Sequence, residues 1–157
     1  MGGEITLRPI TDDDRDFLER LYGTTRADEM AMLDWSDLEK ETFVRSQFEA
    51  QHTYYQQQFP EATFDVVLED GEPIGRLYVD RRSDEIRLID IALVPDTRRR
   101  GIGGGLMRQV LDEAKEAGLP VQIHVERNNP AMGLYLRLGF EVVEDQGVYF
   151  LMRWDPE

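Results

Sequence analysis

Ile91-Ala92-Leu93-Val94-Pro95-Asp96-Thr97-Arg98-Arg99-Arg100-Gly101-Ile102-Gly103-Gly104-Gly105-Leu106 is the stretch that decides the fold of this chain. The apolar run over 86–94 reads as a strand, and Pro95 ends it because proline cannot donate to a ladder. From Gly101 onward, Ile102, Leu106, Met107, Val110, Leu111 and Ala114 recur on one face at helical spacing. Gly118 and Pro120 stop that helix. A helix start leaves its first N–H groups without intrahelical partners, at the positive end of the dipole. Glycine at 101, 103, 104 and 105 keeps side chains clear of them, and such a start binds phosphate oxygens. Glycine destabilises a helix by up to ~1 kcal/mol per residue relative to alanine. Four in one turn point to a ligand more than to a loop packed tightly on a sheet.

Working outward, residues 4–10 read as a first strand. Thr11-Asp12-Asp13-Asp14 offers an oxygen cap and acids at the positive end of a helix faced by Phe17, Leu18, Leu21 and Tyr22. A polar connection runs to about Trp35. Ser36-Asp37-Leu38-Glu39 has capping-box spacing and opens a long helix with Leu38, Val44, Phe48, Tyr55 and Phe59, closed by Pro60. Strands follow over 64–68, 74–79 and 86–94, the first two joined at Asp70-Gly71. After the glycine-started helix come a strand over 121–125 and a short helix opened by an Asn129 cap and Pro130. Gly139 ends that helix, and strands over 140–143 and 148–154 pair about Asp145-Gln146-Gly147. The order β-α-α-β-β-β-α-β-α-β-β predicts an α/β (α+β) fold, with a mixed, mostly antiparallel central sheet flanked by helices. Nothing repeats and no stretch reads as a linker, so one domain over 1–157 is expected.

The 157 residues carry 32 Asp plus Glu against 18 Lys plus Arg, a formal charge of −14. That balance disfavours a nucleic-acid partner. It attracts a cationic substrate, or simply keeps the chain in solution. The sequence has no cysteine, which excludes structural disulfides, thiolate metal ligands and a cysteine nucleophile; no metal site is expected. A reducing cytoplasm is the default compartment. No apolar run approaches the roughly 20 residues of a membrane helix, and Met1-Gly2-Gly3-Glu4 lacks the regions of a signal peptide.

Two phosphate motifs fail on this loop. A P-loop needs Gly-Lys-Ser/Thr where Gly105-Leu106-Met107 stands. A dinucleotide fingerprint needs glycine three beyond Gly103, where Leu106 stands, although Glu126 could imitate its ribose-binding acid. The run over 91–106 instead resembles the GNAT superfamily of acyl-CoA-dependent N-acyltransferases. That superfamily's Arg/Gln-x-x-Gly-x-Gly/Ala signature falls on Arg98-x-x-Gly101-x-Gly103. Asn128-Asn129-Pro130-Ala131-Met132-Gly133-Leu134-Tyr135, running into Leu138-Gly139-Phe140, is similar to its Asn-x-x-Ala-x-x-x-Tyr followed by Leu-Gly-Phe. The resemblance is sharp from about 86 to 140 and extends to the first 60 residues only in element order.

The resemblance implies acetyl-CoA as cosubstrate. Its diphosphate would lie on the backbone amides from Arg99 through Gly104, which include Arg100, Gly101, Ile102 and Gly103. Arg98 would order the loop or meet a phosphate. Strand backbone at Leu93 and Val94 would pair with the pantetheine arm as an added strand, with Asn128 and Ala131 beside it. Tyr135 would act as general acid near the sulfur, and a backbone N–H near Leu93 would stabilise the oxyanion. A homodimer also fits the resemblance, with no interface legible in the residues.

An amine attacking a thioester must lose a proton, the developing oxyanion needs donors, and the leaving thiolate needs a proton. A lysine-like amine, pKa ~10.4, is neutral in roughly one molecule in a thousand at pH 7, so a base or a water chain is useful. Without cysteine, direct attack in a ternary complex is expected. Asp90 is the first candidate base. Alternation puts it on one face with Leu88, Ala92 and Val94, against Ile89, Ile91 and Leu93. A carboxylate in a strand apolar on both faces is unusual; it is either a base or the partner of Arg76, Arg81, Arg82 or Arg87. Glu85 is the second candidate. His124, sharing a face with Gln122 and Glu126, is the third, with a structural, hydrogen-bonded histidine as its alternative. By resemblance the first two helices shape the acceptor pocket, where Trp35 and Tyr54 are candidate contacts for a small-molecule or peptide amine, or simply core. A second reading is a catalytically silent CoA or acyl-CoA binding module, which keeps the glycine loop and needs neither Tyr135 nor a base.

Overall fold

A computed structural model describes residues 3–97, 100–127, 129 and 131–156. Its strands are β1 (Ile5–Pro9), β2 (Thr63–Glu69), β3 (Glu72–Arg81), β4 (Ile86–Leu93), β5 (Val121–Glu126), β6 (Glu141–Asp145) and β7 (Tyr149–Trp154). Its helices are α1 (Arg15–Thr25), α2 (Ala27–Ala31), α3 (Asp37–Gln58), α4 (Ile102–Ala117) and α5 (Met132–Arg137). The strands form one sheet in the order β1-β2-β3-β4-β5-β7-β6, antiparallel except for β4 beside β5.

The local signals act largely as expected. The Ser36 hydroxyl accepts from the Glu39 N–H, and the Glu39 carboxylate accepts from the Ser36 N–H, each at 3.1 Å. Gly118 ends α4 at φ 70°. The Asn129 side chain accepts from the Ala131 N–H at 2.8 Å and caps the turn before α5. Two local readings change. Thr11 and Asp14 bond to each other, but the result is a single 3-10 turn over Asp12–Asp14 before α1. The polar connection contains the short helix α2, held by an Arg26–Glu29 pair at 3.4 Å and by the buried Met30.

α4 covers one face of the sheet. Leu106, Met107, Val110 and Leu111 bury themselves there against Leu77, Val79, Ile86, Leu88, Val121 and Ile123. α1 and α3 lie on the other face, where Leu18, Tyr22 and Phe48 form a small apolar cluster. That assignment corrects the alternation expected for β4. Tyr78 pairs with Asp90 and Val79 with Leu88, so Ile89 is an extra residue, a β-bulge. The bulge turns Leu88 onto the α4 face with Ile91 and Leu93 and leaves Asp90 and Ala92 on the opposite one.

β4 and β5 pair only at Ile86–Val121, Arg87–Gln122 and Leu88–Ile123. Beyond the bulge they part. β4 follows β3 as far as Leu93 opposite Gly75, while β5 follows β7 as far as Glu126 opposite Tyr149. The opening lies at the carboxyl end of β4, the end from which the chain turns into α4.

Candidate active site

The start of α4 is bare. Gly101 stands at the N-cap with φ 81° and has no side chain to cap the helix, and its first turn holds no acid. Only Gly101 among these glycines needs a left-handed backbone. A Cβ on Gly103 would come 3.6 Å from Leu93 Cδ1, one on Gly104 3.5 Å from Arg108, and one on Gly105 would meet nothing within 4 Å. The fold therefore has room for alanine at these three positions. The Gly105 N–H already donates to the Gly101 carbonyl at 3.0 Å, so the amides left without a helical partner are those of the residues before it. An uncapped dipole, no nearby first-turn acid and amides left uncovered are the donor set a diphosphate requires. A cleft of about 590 Å³ adjoins it, lined by Ile5, Glu69, Arg100, Gly101, Ile102 and Gly105 among others. Arg98, Arg99 and Asn128 lie outside the described residues.

Just past the end of β4, Val94 is already engaged. Its N–H donates to the Ile74 carbonyl at 2.8 Å, and its carbonyl accepts from the Thr97 N–H at 3.0 Å and from the Thr97 hydroxyl at 2.9 Å. Leu93 pairs with Gly75.

Tyr135 projects from α5 into the core cluster shared with α4. It is 3% exposed and meets Phe140 edge-on with ring centroids 6.0 Å apart. Its hydroxyl has no hydrogen-bond partner among the described residues. Burial, and after it the charge of Asp90, push the phenol above its ordinary range, so it keeps its proton at any working pH.

Asp90 is ion-paired with Arg76, which the sequence left as one of four arginines. Arg76 is 3% exposed, also donates to Gln51 Oε1 at 2.8 Å, and lies 5.0 Å from the centroid of the Tyr78 ring. The other three are engaged elsewhere: Arg81 with Glu113, Arg82 with Asp80 and Glu85, and Arg87 with Glu85. Tyr55 meets Tyr78 edge-on, and both phenols are pushed up chiefly by burial. Arg76 Nε and the Tyr78 hydroxyl are sealed without partners among the described residues. Sequence reasoning missed Arg76, Gln51 and Tyr78 as one assembly. The available signal was an arginine inside Ile74-Gly75-Arg76-Leu77-Tyr78-Val79.

The structure does not bring the other two candidate bases to Asp90. Glu85 sits at the closed end of the β4–β5 pair, five residues or about 16 Å along an extended chain from Asp90. It accepts from Arg87 at 3.3 Å and Gln122 at 3.1 Å. His124 is on the face expected, but its Nδ1 lies 3.0 Å from Arg87 Nη1. Arginine only donates, so the Nδ1 lone pair is occupied. Burial first and then Arg87 lower the pKa of this histidine. Trp35 is 41% exposed and stands edge-on to Phe43, and Tyr54 is 55% exposed. Tyr55, the neighbour of Tyr54, is the tyrosine turned to the sheet.

Residues 29–140 match the model of the acetyltransferase (GNAT) family. The chain belongs to this family. A mycothiol acetyltransferase of Thermobifida fusca (strain YX) is 37% identical over 84 residues, 52% of this chain and 23% of that protein. The chain thus spans about a quarter of the length of this curated relative. The PaiA N-acetyltransferase of Thermoplasma acidophilum, solved in complex with coenzyme A, superposes with a TM-score of 0.73 at 19% identity, over 97% of this chain and 99% of that one. A GNAT family acetyltransferase of Elizabethkingia anophelis with acetyl-CoA bound gives 0.62 at 16% identity, over 96% and 97%. At these identities the likeness establishes a shared GNAT fold. No helix among the described residues is long and apolar enough to cross a membrane.

Proposed function

We propose that this GNAT protein moves an acetyl group from acetyl-CoA to a primary amine, by direct attack in a ternary complex. What supports the reading is that parted strands and a bare helix start meet at one end of β4, together with a phenol on α5 that has no partner among the described residues. The cosubstrate supplies an activated acyl thioester; the remaining work belongs to the chain. Amides from Arg99 through Gly104 hold the diphosphate, with Arg98 ordering the loop. β4 backbone ahead of the engaged Val94 pairs with the pantetheine arm at Leu93, beside Asn128 and Ala131. A backbone N–H near Leu93 faces the developing oxyanion, and Tyr135 gives its proton to the departing sulfur. Asp90, the one candidate base on the parted segment of β4, accepts the amine's N–H and passes the proton to solvent, fixed in place by Arg76. Glu85 and His124 support the closed end. The acceptor is a small-molecule or peptide amine that approaches over α1 to α3, where Trp35 and Tyr54 are exposed. The reaction takes place in the cytoplasm.

One observation favours the second reading, a silent CoA-binding module: all three candidate bases are already bonded to arginines. A screen of primary amines with acetyl-CoA, following free thiol release, separates the two. Turnover with any amine, reduced at least tenfold in Asp90→Asn, is expected. Coenzyme A binding without turnover on any amine favours the module, and no binding of coenzyme A removes both readings.

A further inference from the structure

The β2–β3 hairpin brings a carboxylate to the mouth of the anion-binding loop. Glu69, the last residue of β2, accepts from both terminal nitrogens of Arg100, at 3.1 Å from Nη1 and 2.5 Å from Nη2. The Gly3 N–H donates to the same carboxylate at 3.1 Å. Arg100 directly precedes the N-cap Gly101, and both ion-pair partners line the 590 Å³ cleft beside Ile102 and Gly105. Arg100 first, then the Gly3 N–H, hold the Glu69 carboxyl below its usual range, so it is charged at neutral pH.

A carboxylate and a phosphate are rival acceptors for one guanidinium fork, because both offer two oxygens at matching spacing. The carboxylate also repels any anion that approaches the amides beside it. Neither the glycines nor the arginines explain why an acid stands there, and no other cation competes for it among the described residues.

We propose that Glu69 is the resting counter-ion of Arg100 and is displaced by a phosphate of the ligand, so that it sets how tightly the loop holds that ligand. The proposal rests on the reading of this loop as the coenzyme A site. Arg100 changes partner on binding; no covalent step is involved.

Calorimetry with free coenzyme A tests it on four proteins: the parent chain, Glu69→Gln, Arg100→Ala and the double variant. Glutamine still accepts from the Gly3 N–H, so the hairpin is kept. Glu69→Gln is expected to tighten coenzyme A binding about three- to fivefold at low salt, the scale of one exposed ion pair. The gain shrinks towards about 0.5 M salt as charges are screened. In the Arg100→Ala background most of the gain is expected to vanish, because the partner to be released is gone. Pantetheine, which carries no phosphate, should bind the parent and Glu69→Gln alike. Equal coenzyme A affinity in the parent and Glu69→Gln overturns the exchange while leaving the site itself standing. A gain that persists in full without Arg100 also overturns it, since Glu69 then acts only as a bare repelling charge. Absence of coenzyme A binding in all four proteins sinks the site reading and the exchange with it.

Discussion

The two faces of the sheet are held by different chemistry. Under α4 the buried contacts are apolar, from Leu106 and Met107 to Leu77, Leu88 and Ile123, with the exposed Arg81–Glu113 pair at the margin. Under α1 and α3 the strands hold an ion pair between the buried Arg76 and the half-buried Asp90, beside the tyrosines Tyr55 and Tyr78. Apolar burial is non-directional and rewards close filling of space. A buried ion pair contributes little net stability, yet it is strongly destabilised when one partner is lost, so it fixes atoms in place rather than adding cohesion. The contrast separates a scaffold face from a face whose group positions matter, and Asp90 belongs to the second.

The largest expected effect breaks the positional face. Arg76→Ala leaves Asp90 without its cation and should lower unfolding free energy by about 3–5 kcal/mol. Met107→Ala on the scaffold face should lower it by about 2–4 kcal/mol through cavity formation. The double change Arg76→Met with Asp90→Leu should regain most of that stability and still lose acyl transfer. Denaturant titration of the three variants checks this. An Arg76→Ala variant within about 0.5 kcal/mol of the parent, the range of surface changes, would erase the distinction between the faces.

The next effect sharpens it from the opposite side. Tyr135 packs with the scaffold core, but its hydroxyl has no partner there. Tyr135→Phe keeps the ring against Phe140 and should change stability by less than about 0.5 kcal/mol. It should lower kcat about a hundredfold, the lower range for a lost general acid, with KM for acetyl-CoA little changed. Unaltered kcat on the best acceptor removes Tyr135 from the chemistry.

Smaller effects lie in the glycine turn. Gly103→Ala and Gly105→Ala meet no close backbone and should raise helix stability by up to ~1 kcal/mol each, while weakening coenzyme A binding. Gly101→Ala should destabilise by about 1 kcal/mol, because its φ of 81° is left-handed. Opposite signs within one turn, read by thermal unfolding beside calorimetry, separate a turn required by the fold from one shaped for a ligand. Alanine at 103 and 105 that leaves affinity unchanged argues against close approach of a ligand to this turn.

Much of the scaffold was legible because its signals are local. The Ser36 box, the Gly118 stop and the Asn129 cap each join atoms within a few residues. The apolar stripe of α4 follows from helical periodicity alone. The site was less legible because it depends on a break in periodicity and on distant partners. One extra residue at Ile89 reverses the face of Leu88, and nothing in the local sequence announces a bulge. Arg76 lies 14 positions before Asp90, and its selection over Arg81, Arg82 and Arg87 depends on strand register. Glu69 and Arg100 are 31 positions apart; Asp70-Gly71 announces the β2–β3 hairpin, but nothing in the sequence announces that its Glu69 meets Arg100 and Gly3.

The smallest effect concerns His124, which stands on the positional face but at its uncovered side. Arg87 donates to Nδ1, so the neutral ring carries its proton on Nε2. Burial and the Arg87 charge lower its pKa from the ordinary 6.5, and Glu144 from β6 and Glu85 at the head of β4 oppose them without cancelling them. The folded chain therefore binds this proton less well than the unfolded chain. Its contribution to stability should be constant above about pH 6.5, fall as pH drops through 6.5 towards the folded value, and level off below it. A proton NMR titration of the ring should give a midpoint under 6.5, and Arg87→Met should move that midpoint upward. A midpoint at or above 6.5 in the parent chain would mean that Nδ1 is free. His124 would then return as a candidate base beside Asp90, and the line between the closed and parted ends of β4 would no longer divide support from chemistry.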